Sequence, residues 1–184
     1  MRSTLNIFAQ CAGLWLLYIA LWHLSDVFAS VQGVDGVASV FFLPAFIRLL
    51  GFLIVGYWVI PTLFLASVFL SVTGGYDLGP GLVPELIIAS FTSVGGPFGV
   101  FLASRMANLK PSLSNLTPLR LLGLSIGCAA GNAIFHYFAW VVIGDHTFSP
   151  VRYFSIFFGD FVGTWAIIYL IKTLLTFYSR AIRS

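Results

Sequence analysis

The sequence predicts an all-α polytopic membrane protein with about six transmembrane helices in one bundle. Three observations lead there. Of 184 residues, 59% are hydrophobic and only 8% charged, whereas a soluble domain carries about 25% charged residues. Mean hydropathy is +1.00, so a water-soluble fold lacks the polar surface it needs. The apolar residues also fall in runs near the roughly 20 residues that cross a bilayer core, separated by stretches rich in Gly, Pro, Asn and Asp.

The runs cover about 6–29, 38–55, 58–73, 86–107, 119–143 and 153–178. The first follows a single Arg2 and resembles a signal peptide. It is too long for a signal core and no small-x-small cleavage site follows, so it reads as a retained helix. The second and third are parted only by GYWVIP, so they are either two spans or one helical hairpin with a very short turn. Pro118 and Pro150 stand at helix starts, where a missing N–H costs little. No repeat is evident, and residues 1–184 read as a single integral membrane domain.

Six spans put both termini on one side. Arg2, Arg105, Lys110, Arg120, Arg180 and Arg183 share that side, with Lys172 near enough to snorkel to it. Asp35, Asp77, Glu85 and Asp145 take the other, and Arg152 alone runs against the trend. The positive-inside rule then places both termini in the cytoplasm. The net charge of +3 is spread over segment ends without a Lys/Arg run, so nucleic acid is not an expected partner. Cys11 and Cys128 lie in apolar runs and read as small buried residues.

Polar residues inside the runs are the candidates for function, because charge in hydrocarbon costs about 2.5–3.5 kcal/mol and usually faces a partner in the bundle. Arg48 and Asp160 are opposite in charge and close in expected depth. Gly159 and Gly163 share a face beside Asp160 and admit a neighbouring backbone. Asn132 and His136 share a face of the fifth run, His23 lies in the first, and SFTSVGGPFG contributes Thr92, Ser93 and Gly96. The expected site is an outer-half cavity floored by Arg48 and Asp160 and lined by Asn132, His136, His23, Thr92, Ser93 and Gly96. The same residues also fit a plain structural bridge. Pro97 with its flanking glycines predicts a broken helix, for packing or for lining a ligand. No nucleophile elbow, paired catalytic carboxylates or metalloprotease helix occurs. Neither an enzyme, a metal site nor a cofactor is therefore expected.

FFLPAFIRLLGFLIVGYWVIPTLFLAS (41–67), SVGGPFGVFLASRM and FFGDFVGTWAIIYLIK resemble, in order, segments of the bacterial membrane-associated sensor domains of the MASE type. The shared elements are the aromatic-x-Pro-Ala stretch Phe42 to Ala45, the Gly-aromatic turn Gly56 to Trp58, Pro61, and a closing Gly-Asp-x-x-Gly segment. They cover about residues 38–175. The resemblance implies ligand sensing coupled to a cyclase, phosphodiesterase or kinase. The chain departs in having fewer spans, no output domain within these residues, and Arg48 at an often apolar position. A sensor of this form acts through a membrane partner such as a kinase or cyclase. A second likeness is to the substrate-binding subunits of energy-coupling-factor vitamin transporters, which work with a coupling subunit. A third reading is an accessory subunit of a larger membrane complex.

Overall fold

The computed structural model describes residues 4–31, 41–74, 82–144 and 150–181. Arg2, Asp35, Asp77, Asp145 and Arg183, which carry much of the charge asymmetry, lie outside the described residues. Six α-helices are present among those described: α1 (Thr4–Val31), α2 (Ala45–Val55), α3 (Val59–Val72), α4 (Leu82–Met106), α5 (Pro118–Ile143) and α6 (Pro150–Ala181). Five helical stretches are long and apolar enough to cross a membrane, the second being Ala45–Val72 taken as one run. They are compatible with a multi-pass membrane protein.

That second run is two helices joined by the 3-10 turn Gly56–Trp58. Leu14 lies against the Gly51 position, Tyr18 meets Arg48 and Ser25 holds Leu43, so α2 runs antiparallel to α1. Cys11 meets Trp58, while Trp22 and Asp26 share a groove with Phe69 and Thr73, so α3 runs parallel to α1. The chain therefore reverses at Gly56, whose φ of 62° and ψ of −135° suit glycine alone. The reversal is tight enough that a Cβ on Gly51 would collide with the Val59 side chain. The arms have 11 and 14 residues, about 16 and 21 Å at 1.5 Å per residue, each short of a core of about 30 Å.

α2 is the centre of the bundle and packs on α1, α3, α4, α5 and α6. The main apolar core joins Leu14 and Tyr18 of α1, Leu43, Phe46 and Ile47, Val59, Leu63, Ala66 and Leu70 of α3, and Ile167 of α6. Residues 41–44 precede α2 and are not helical, although the apolar run predicted a span from 38. Pro44 sits at the helix boundary and offers no N–H. Backbone polar groups inside a bundle must still be paired. Phe42 N donates to Gly159 O at 3.1 Å, and Leu43 N donates to Ser25 Oγ at 3.0 Å.

The expected break at VGGPFG is absent: α4 is continuous through Pro97. Its glycines serve packing against α5. Gly95 and Gly99 face Gly131 and Gly127 so closely that a Cβ on Gly99 or Gly131 would strike the opposing backbone. This is small-residue packing on both helices, with antiparallel order. Between them, residues 107–117 form a braced turn. Asn115 Nδ2 donates to Asn108 O at 3.0 Å, and Asn115 Oδ1 accepts from Lys110 N at 2.9 Å. Thr117 then caps α5 by accepting from Arg120 N at 3.3 Å, with Pro118 opening the helix.

Candidate functional site

Arg48 and Asp160 meet. Arg48 Nη1 donates to both carboxylate oxygens of Asp160, at 3.1 and 3.0 Å, and the two residues are 3% and 2% exposed. Arg48 Nη2 donates to the Tyr18 hydroxyl at 3.3 Å. The guanidinium also lies 5.0 Å from the Phe42 ring centroid and 5.9 Å from that of Tyr18, within cation–π range. Asn132 Nδ2 donates to Asp160 Oδ2 at 2.6 Å. One buried cluster thus ties α1, α2, α5 and α6 together.

Each member is placed by local structure. Gly96 gives the Arg48 stem its room, since a Cβ there would lie 2.9 Å from Arg48 Cδ. Gly163 admits the backbone of Phe42 and Leu43, which a Cβ would strike. A neighbour does come close at Gly163, and Gly159 O accepts from Phe42 N, but that neighbour is the turn leading into α2 and not a helix. His136 Nδ1 lies 3.1 Å from Asn132 O. A carbonyl can only accept, so the Nδ1 position carries the proton.

The remaining candidates stand apart from the ion pair. Thr92 and Ser93 are buried but turn their hydroxyls to their own helix, at Ala89 O (3.5 Å) and Ser90 O (2.9 Å). His23 is exposed, stacks edge-on with Trp22 at 5.0 Å and lines the α1–α3 groove. It does not join the cluster, because α1 passes the ion pair at Tyr18 and has climbed more than a turn beyond it at His23. Tyr18, Gly96 and Asn132, which meet the ion pair, each stand near the middle of their helices, while Asp160 lies in the first half of α6. The cluster is enclosed by its own side chains.

Comparison of the chain with protein families, with curated proteins and with solved structures finds no match. What the cluster does must therefore be argued from its chemistry. Asp160 accepts three hydrogen bonds from two residues on two other helices. Asn132 Oδ1 is buried and has no hydrogen-bond partner. A buried acceptor left open beside a paired carboxylate is costly unless something donates to it. Among the described residues no group of three or more His, Cys, Asp or Glu is placed to hold a metal ion.

Two members of the site were not legible. Tyr18 is one of seven tyrosines and sits in an uninterrupted apolar helix, and Phe42 is one of 19 phenylalanines. Neither spacing nor chemistry marks them in a single sequence. Tyr18→Phe removes the acceptor of Arg48 Nη2 and leaves the ring in place. It is expected to lower stability by about 1–1.5 kcal/mol, read as a lower melting temperature of the detergent-solubilised protein. Tyr57→Phe, at a ring 62% exposed, should leave that temperature unchanged.

Proposed function

We propose that the chain is an inner-membrane protein of the sensor kind, built of six membrane helices of which α2 and α3 form a short hairpin, with both termini in the cytoplasm. A small ligand or membrane partner reaching the bundle from the periplasmic side acts on the Arg48–Asp160 pair, and a partner protein carries the signal onward. Placement of both termini on one side is supported by helix direction. α1 and α3 run one way and α2 the other, while the Gly95–Gly131 and Gly99–Gly127 contacts make α4 and α5 antiparallel. Asn132 with Asp160 and Trp140 with Arg152 do the same for α5 and α6. Arg105, Lys110, Arg120 and Lys172 then gather at the end that holds the Gly56 turn, which favours that end as cytoplasmic.

The observation that carries the ligand reading is the open acceptor of Asn132 beside the ion pair. A group that donates to Asn132 Oδ1 competes for Asp160 and loosens Arg48, and through it α1 and α2. A ligand shifts such an equilibrium only by binding one arrangement better than the other. Native mass spectrometry of gently solubilised protein tests the reading, and a kinase or cyclase retained with the chain is the expected result. A coupling subunit with ATPases and a bound vitamin would make it a transport subunit. An inseparable large assembly free of small ligand would make it an accessory subunit. Either outcome overturns the sensor reading.

A further inference from the structure

A second polar feature lies away from the ion pair, where α3 stops and α1 continues. The last turn of α3 faces the flank of α1, leaving a groove of about 370 Å³ lined by Trp22, His23, Asp26, Phe69, Thr73 and Gly74. That volume is within the range of about 300–1,000 Å³ usual for small-molecule sites. Apart from the His23 imidazole, the lining of the groove favours a positive charge.

Asp26 is exposed and makes no hydrogen bond or ion pair among the described residues. The carbonyl end of α3 points at the same space and carries a partial negative charge, about half an elementary charge for a helix terminus. The Thr73 hydroxyl donates to Phe69 O at 2.8 Å and to Leu70 O at 3.2 Å, which offsets that end only in part because a hydroxyl carries no net charge. The indole of Trp22 and the ring of Phe69 supply aromatic surface, which attracts cations. No lysine or arginine occurs in α1 or α3, and none in the sequence between Arg48 and Arg105. Arg48 itself is committed to Asp160 and Tyr18.

The type of cation follows from the lining. Hard divalent ions need six or more oxygen ligands, whereas the groove combines one carboxylate with aromatic rings. We propose that the α1–α3 groove binds an organic ammonium group, carried by a lipid headgroup or by a free small amine. Asp26 supplies the counter-charge, and Trp22 and Phe69 bound the site with aromatic surface. This goes beyond the sensor reading and is independent of it.

Two arms of one experiment separate the sources. In the first, native mass spectrometry from nanodiscs of equal phosphatidylethanolamine and phosphatidylglycerol reads which lipid stays bound. In the second, protein in phosphatidylglycerol nanodiscs is titrated with ethanolamine and with tetramethylammonium, following tryptophan fluorescence. Preferential retention of phosphatidylethanolamine assigns the site to a headgroup, and a saturable response to the free amines assigns it to a soluble ligand. In either case Asp26→Asn is expected to weaken the effect about tenfold, the loss of one strong charge contact, at an unchanged melting temperature because Asp26 is exposed. Phe69→Leu serves as a second probe and should weaken it by a smaller factor. No lipid preference together with no saturable response overturns the proposal, as does full retention of either effect in both variants.

Discussion

Asp160→Ala is expected to destabilise the protein by about 3–5 kcal/mol, because it leaves the Arg48 guanidinium buried without its counter-charge. Arg48 is 3% exposed, and the Tyr18 hydroxyl it also meets carries no charge. Asp160→Asn should fall between wild type and Asp160→Ala, since an amide oxygen still accepts from Arg48 but carries no charge. Adding Arg48→Gln to Asp160→Asn should restore part of the loss by removing the stranded cation. Arg48→Met with Asp160→Leu should restore most of it, as well-packed apolar residues often replace a buried pair without net cost. Melting temperatures in detergent, ranked across the five proteins, check the order. Full tolerance of Asp160→Asn would show that the pair holds nothing together. The apolar double variant also separates structure from signal: it should fold, yet lose coupling to any partner that reads the ion pair.

The second large effect is at the α4–α5 seam. Gly99→Ala and Gly131→Ala should each cost about 3 kcal/mol or more, the upper end for overpacking a filled site. The obstacle is backbone on both sides. A Cβ on Gly99 meets Gly127 O and lies 3.2 Å from Gly131 Cα, and one on Gly131 lies 2.9 Å from Gly99 Cα. Helix axes must move apart to admit either, and that removes contact along the whole seam. Gly123→Ala and Gly13→Ala are the matched controls, since nothing lies within 4 Å of a Cβ at either position. Alanine's better helix propensity, about 0.8–1.0 kcal/mol over glycine, makes those two neutral or slightly stabilising. Loss of monodisperse protein on size exclusion for the first pair, and not the second, is the expected readout.

These two seams show unequally in the primary structure. The ion pair was legible because charge in a long apolar run has few ways to be accommodated, and Arg48 and Asp160 were the opposite charges of matching depth. The glycine seam was equally present, as Gly95, Gly99 and Ala103 on α4 and Gly127 and Gly131 on α5, each at four-residue spacing. Pro97 in its midst drew the reading toward a broken helix. A proline at a helix interior costs a hydrogen bond, but α4 stays continuous where it packs closely on α5. The lead-in at 41–44 was hidden for a different reason. FFLP is as apolar as the helix it precedes, and only Pro44 hints that the helix starts late.

Composition and charge placement alone determined that the chain is helical, apolar enough for a membrane, and built around a small set of polar residues within its apolar helices. Those properties follow from additive transfer energies, which depend on residue type and local order. Tertiary structure decided which of those residues meet. It set the reversal at Gly56, put α2 at the centre, brought Tyr18 and Asn132 to the ion pair and left His23 in a separate groove with Asp26. Such pairings depend on helix rotation and crossing, and these are set by where small residues on two distant segments let backbones touch. No single segment contains that information.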